Sequence, residues 1–292
     1  MVDVLNLING RHVPADDTLD LISPATGKVY GTVPRTISAS DAIMAAHDAA
    51  SSWRATPVRE RSRLMHALAD AIESDLLAFS EAESIDNGKP VELARTVDIP
   101  RAVANLRWFA SSILEFENEH YETGSRAVND VLHVPVGVIG AISPWNLPLY
   151  LFTWKIAPAL ATGNTVVAKP SEVTPLSAHR FSELASRAGL PPGVLNVVQG
   201  RGDTVGARIV EHPDVPTITF TGGTSTGEWI ARTAAPMFKR LSLELGGKNS
   251  LIVFADCDID TAVDGAVRRL ELAIQRNVAA HDRARWPAAR AN

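Results

Sequence analysis

Apolar positions along the chain change period twice. Over residues 4–35 they come in short runs, the pattern of extended pieces burying one face. Asn9-Gly10, between VLNLI and RHV, is a type I′ hairpin dipeptide, because both residues tolerate positive φ. From Ser38 the spacing becomes helical. Ser40-Asp41 is placed to cap a run carrying Ile43, Met44, Ala46 and Ala50, and a second run covers 58–86. Asn87-Gly88-Lys89-Pro90 then stops it with a left-handed glycine and a proline. A third helix is predicted over 98–116, and the alternation in 121–135 predicts hairpin strands.

Beyond this hairpin the two periods take turns. VGVIGAI reads as a strand, 149–161 as a helix, 165–168 as a strand and 176–188 as a helix. VLNVVQ, a helix over 205–211, TITF, a helix over 226–234, a strand over 241–245 and the strand SLIVF follow. Short β-rich runs alternating with helices predict an α/β fold, a Rossmann-like and mostly parallel sheet with helices on both faces. Such sheets bind ligands at the C-terminal ends of their strands.

Composition narrows the class. A chain of 292 residues, 46% hydrophobic and 21% charged, can bury the core of one large or two ordinary domains. No apolar run reaches the roughly 18–20 residues of a membrane span, and the N-terminus lacks a secretory pattern, so the reading is cytoplasmic. A net charge of −5 argues against nucleic acid as a partner. With one cysteine there is neither an intramolecular disulfide nor a multi-Cys zinc site, and any thiol nucleophile is Cys257.

Several loops after the strands carry chemistry. Residues 200–206, GRGDTVG, are either a pyrophosphate cradle at a helix start or a tight turn. FTGGTSTG, at 220–227, sets two glycines and a string of hydroxyls before a helix, which is either an anion cradle or a polar cap. Lys169 and Glu172 in VAKPSE offer a donor and an acceptor. A carboxylate there can accept ribose hydroxyls and repel a 2′-phosphate, favouring NAD over NADP. Asn146, between two prolines in PWNLP, is either an oxyanion donor or an Asx turn. Glu244 before two glycines is either a general base with room to move or a surface carboxylate.

PWNLPL, KPSEVTP, FTGGTSTG and LELGGKN, in that order, resemble the NAD(P)-dependent aldehyde dehydrogenase superfamily over about residues 5–265. The resemblance implies oxidation of a small aldehyde to an acid, with NAD as cofactor in preference to NADP. It implies Asn146 as the oxyanion-hole amide and Glu244 as the general base. Ile142, Trp145, Lys169, Ser171, Glu172, Gly202, Gly222, Gly223, Thr224 and Leu245 are the implied cofactor contacts, with Lys155 supporting the site. This chain has Gly223 where family members more often have serine. The implied domains are NAD-binding over 1–119 and 138–246, an oligomerisation hairpin over 120–137 and the start of a catalytic domain over 247–267. The family's homo-oligomer would cover Val128 to Val134; left unpaired, that edge predicts aggregation.

Family catalysis also needs a cysteine, which attacks the aldehyde; hydride then leaves for the nicotinamide, and activated water hydrolyses the resulting thioester and frees the thiol. Its expected place falls near Val278, in AIQRNV, where there is none. Cys257 lies between two aspartates, only thirteen residues after Glu244, and reads as structural. Residues 268–292 hold six arginines against two acids and depart from the family in composition. The expectation is a truncated or frame-shifted chain, inactive or nearly so; the alternatives are a silent NAD-binding or subunit-interaction protein and a basic arm.

Overall fold

Val138–Ile142 is buried along its whole length, as a central parallel strand covered on both faces must be. The computed structural model describes residues 1–35, 38–124, 126–247 and 250–267. They belong to two units, 1–244 and 245–292. In the first, β1 (Val2–Asp3), β2 (Asn6–Ile8), β3 (Arg11–Val13), β4 (Thr18–Ile22) and β5 (Val29–Pro34) precede the helices. Asn9 and Gly10, at φ 50° and 73°, turn β2 into β3 as the dipeptide predicts.

Helices α1 (Ala39–Ala55), α2 (Val58–Ser74), α3 (Leu76–Asn87), the single turn α4 (Val91–Leu93) and α5 (Ile99–Ser112) follow. Helix α1 begins before the expected Ser40-Asp41 cap. Ser38 is its N-cap without a side-chain bond, and Asp41 sits in the first turn, where a carboxylate complements the helix dipole. Met44 is exposed while Ile43 and Ala46 are buried. The run over 58–86 is two helices, broken where Asp75 leaves helical dihedrals. Gly88, at φ 77°, ends α3 in the left-handed region. A π-helical turn, Ala94–Asp98, leads into α5, which stops short of Phe116 in a 3₁₀ turn.

The hairpin forms as β6 (Glu119–Thr123) and β7 (Ala127–Val131), paired antiparallel, with Val128, Leu132 and Val134 exposed. Then come β8 (Val138–Ile142), α6 (Pro148–Ala161), β9 (Thr165–Lys169), α7 (Leu176–Arg187) and β10 (Leu195–Val197). A π-helical turn, Gly202–Gly206, precedes α8 (Ala207–Glu211), so only the second part of the expected helix is α-helical. The unit closes with β11 (Thr217–Thr221), α9 (Thr224–Ala234) and β12 (Arg240–Glu244).

The main sheet runs β12-β11-β8-β9-β10-β2-β3, parallel from β12 to β10 and antiparallel at β2 and β3. Period-2 alternation divides its core. Ile139, Ala141, Val166 and Ala168 face the layer containing α2, α5, α6 and α7. Val138, Ile142, Val167, Ile218 and Phe220 face the layer of α1, α8 and α9.

The second unit corrects one expectation. SLIVF, residues 250–254, forms no strand: Leu251, Ile252, Val253 and Phe254 are 48%, 72%, 55% and 71% exposed. A strand needs a neighbour for its N–H and C=O groups, and residues 245–247 and 250–267 contain no second strand. The basic segment 268–292, including the position near Val278, lies outside the described residues.

Candidate active site

The chain steps from β8 to β9 and β10 on one side, then returns to lay β11 and β12 on the other. Loops leaving β8 and β11 therefore diverge, the topological switch point at which open α/β sheets take ligands. The register sets Ile142 level with Lys169 and Phe220, and Thr221 level with Glu244. The segments 143–147, 169–172 and 222–224 and the carboxylate of Glu244 thus share one sheet edge.

At the end of β9, strand parity points Lys169 to the same face as Val167, where its side chain is 2% exposed. Its ammonium donates to Glu172 Oε2 at 3.1 Å and to the Pro170 carbonyl at 2.9 Å. Glu172 Oε1 accepts from the Gly202 N–H at 3.4 Å. Burial pushes the Glu172 carboxyl up, but Lys169 and backbone N–H groups outweigh it and hold the carboxyl below its ordinary value. Gly202 is buried with its N–H turned to Glu172, and a Cβ on Gly206 would lie 3.5 Å from Lys169 Cδ. Residues 202–206 therefore back the Lys169–Glu172 pair. Ser171 is half-buried beside it, its Oγ accepting from the Val173 N–H at 3.5 Å.

After β11 the two glycines differ. A Cβ on Gly222 would stand 2.4 Å from the Phe220 ring, whereas one on Gly223 meets nothing within 4 Å. The Gly222 N–H donates to the Glu244 carbonyl at 3.0 Å, tying this loop to β12. Gly223 is the N-cap of α9, with no side-chain cap, and it and Thr224 are exposed. The opening N–H groups of α9 thus lack side-chain partners, and the dipole there favours an anion. Gly223, Thr224 and the opening of α9 are therefore the part of this edge that could hold an anionic group.

Ile142 is buried at the end of β8, and Trp145 and Asn146 are half-buried in the loop after it. Ser143 Oγ is buried without a hydrogen-bond partner. The loop is braced from beneath by residues that the sequence reading did not single out. Lys89, 1% exposed, donates to Glu83 Oε2 at 3.0 Å, to Asp98, and to the Asn146 carbonyl at 3.4 Å. Glu83 Oε1 accepts from the Leu149 N–H at 2.8 Å in the first turn of α6, whose N-cap Leu147 supplies no side-chain bond. Burial pushes the Glu83 carboxyl up, against the pull of Lys89 and the Leu149 N–H. A signal existed: Phe79, Glu83 and Asp86 follow helical spacing, placing carboxylates on a buried stripe.

Lys155, matched to the family but given only a supporting place, sits at the switch point. Thr217, Thr219 and Thr221 alternate with Ile218 and Phe220 along β11, so their hydroxyls turn toward α6. Lys155 is 3% exposed and donates to Thr221 Oγ1 at 2.6 Å. Burial lowers its pKa to about 8, with the Glu244 carboxylate pulling the other way. Glu244 itself is exposed at the end of β12. Leu245 falls in the second unit and is 40% exposed. Cys257, also in that unit, is half-buried, its N–H on the Phe254 carbonyl at 3.2 Å.

Among the described residues no cluster of His, Cys, Asp and Glu could hold a metal, and no helix is long and apolar enough to cross a membrane. The sequence pattern of the aldehyde dehydrogenase family matches residues 12–273, running past the change in composition at 268. The chain is 49% identical over 266 residues to 2-aminomuconic semialdehyde dehydrogenase of Danio rerio, covering 90% of this chain and 55% of that protein. It is 48% identical over 278 residues to 2-hydroxymuconic semialdehyde dehydrogenase of Pseudomonas sp. strain CF600, covering 92% and 57%. An NAD+ complex of aldehyde dehydrogenase from Bacillus cereus superposes with a TM-score of 0.88 at 39% identity, covering 91% of this chain and 55% of that one. The chain spans about half the length of the relatives it matches. On this pattern and these likenesses, the chain belongs to the aldehyde dehydrogenase family.

Proposed function

We propose that this chain forms the cofactor-binding part of an enzyme that oxidises an aldehyde to a carboxylic acid with NAD, its substrate a semialdehyde like those named for its relatives. The observation that carries the reading is the convergence of Asn146, the Lys169–Glu172 pair, the open N-terminus of α9 and Glu244 on one edge of the first unit. NAD bound there supplies the hydride acceptor.

Each side chain has a distinct task. The Asn146 carboxamide donates a hydrogen bond to the oxygen that turns anionic when the carbonyl is attacked. Glu244, exposed at the end of β12, takes a proton from water. Lys155, its pKa near the working pH, offers a proton-accepting group beside it. Glu172 keeps its charge, accepts the ribose hydroxyls and repels a 2′-phosphate, which selects NAD over NADP. The hairpin β6–β7 is the candidate subunit contact, and the compartment is the cytosol.

With Cys257 as its one thiol, the 292-residue chain is expected to bind NAD but to form little NADH with an aldehyde. Calorimetric titration with NAD and NADP tests the binding. Saturation by NAD with weaker NADP binding supports the reading, and no heat at millimolar NAD overturns it. A turnover rate typical of an enzyme would overturn the expectation of near-inactivity.

A further inference from the structure

Helix α3, the turn after it, the π-helical turn before α5 and the loop after β8 meet at one buried charged cluster. Glu83 and Lys89 are 0% and 1% exposed, and Asp98 is 3% exposed. An ammonium has three N–H donors, and each of Lys89's finds an acceptor: Glu83, Asp98 and the Asn146 carbonyl. Glu83 spends its second oxygen on the Leu149 N–H, which opens α6. The cluster therefore grips both ends of the segment 146–149, once by a carbonyl and once by an N–H.

We propose that Glu83 and Lys89, held by Asp98, are positioning residues that fix where the Asn146 carboxamide stands at the sheet edge. A buried charge cluster is a poor source of net stability, because desolvation offsets most of its attraction, so its use lies in geometry. The Asn146 carbonyl is fixed by Lys89, and the backbone leaving it is fixed by the Glu83 bond to Leu149. The Asn146 side chain then has one backbone frame from which to point. Glu83 also replaces the side-chain cap that α6 lacks and places a carboxylate at the positive end of its dipole. The task assigned to Asn146 rests on the function proposed above; the placement of its backbone does not.

Hydrogen exchange with mass spectrometry on the full 292-residue chain separates the two. In Glu83→Gln/Lys89→Met, which removes the Lys89 bond to the Asn146 carbonyl and the Glu83 charge and leaves Asp98 without its cation, amides of 145–151 should exchange at least about tenfold faster. Peptides of β8 and β9 should stay as protected as before. Should the double variant fail to fold, Glu83→Gln alone turns an amide toward Lys89 and should give the same local change at smaller size. Unchanged exchange in 145–151, or acceleration spread evenly over α3, α5 and α6, would overturn the proposal in favour of a purely structural cluster. The same measurement with and without NAD on the unaltered chain reads the function. Protection of 142–149 and 222–227 by NAD supports the cofactor site. Loosening without NAD protection keeps the positioning and sinks the site, and protection without loosening does the reverse.

Discussion

Val138–Ile142 and residues 250–254 are both short β-branched apolar runs, and both read as strands. The first is buried at every position between β9 and β11. The second forms no ladder, and its side chains are about half or more exposed. Their own residues do not separate them; their neighbours do. In a parallel sheet each strand depends on partners brought by crossover helices, so an apolar run alone is a request for a strand rather than a strand. The proposed site rests on the same pairing. Lys169, Glu244 and the loop carrying Asn146 share one sheet edge because β8, β9, β11 and β12 are locked in register.

The sharpest way to break this contrast is to overfill the central strand. A Cβ on Gly140 would stand 2.6 Å from Ile209 Cγ2 and 2.8 Å from Ile218 Cδ1. Gly140→Val should cost about 3 kcal/mol or more, lowering the melting temperature by roughly 10 °C or leaving the protein insoluble. A melt within a degree or two of the unaltered chain would show that β8 is not packed against α8 and β11 as described.

Next in size is a pH effect from the polar face of β11. Burial moves Lys155 from its ordinary 10.5 to about 8. Between those values the unfolded chain holds a proton that the folded chain has released, so stability rises with pH from about 8 to about 10.5. The rise from Lys155 is on the order of 3 kcal/mol, reduced by whatever water reaches the amine. Lys239, lowered to about 8 by burial, adds in the same direction. Urea denaturation at pH 7.5 and pH 9.5 should show the increase, and Lys155→Met should remove much of it. An equal slope in the variant would mean that Lys155 is not desolvated at the switch point. Smaller again, Glu172→Gln should weaken NAD binding about tenfold and narrow its advantage over NADP, an effect on the order of 1.4 kcal/mol. Titration with both nucleotides reads it, and an unchanged ratio would remove Glu172 from cofactor selection.

The sequence made much of this edge legible. Period-2 runs between helices announced the parallel sheet, and glycines, Lys169, Glu172 and Asn146 marked the loops at its C-terminal ends. The Asn9-Gly10 turn and the Gly88 stop follow from residues whose conformations are nearly fixed. The Glu83–Lys89–Asp98 cluster was hidden because a buried lysine is recognised only by partners that the fold brings to it. Lys89 is remote in sequence from Asn146, and spacing along a helix says nothing about that contact. Asp75 interrupts an apolar period that runs on across it, so one helix was read for two. SLIVF reads as a strand from its apolar run alone, where ladder pairing decides.

The smallest effect tests the exposed run itself. Ile252 and Phe254 are 72% and 71% exposed, so Ile252→Ser/Phe254→Ser removes apolar surface that folding has not covered. Unfolding free energy should move by no more than about 0.5 kcal/mol, since surface substitutions away from caps and packed contacts are nearly neutral. Solubility should improve, because a low-charge apolar segment without a ladder is a template for pairing between chains. In β8 the comparable Ile139→Ser puts a hydroxyl against the buried layer of α6 and should cost about 3 kcal/mol. The pair of values is the measurement. A loss of about 2 kcal/mol or more in the Ile252/Phe254 variant would mean that residues 250–254 find a covered partner in solution. The contrast between the two runs would then collapse, because both would be strands with neighbours.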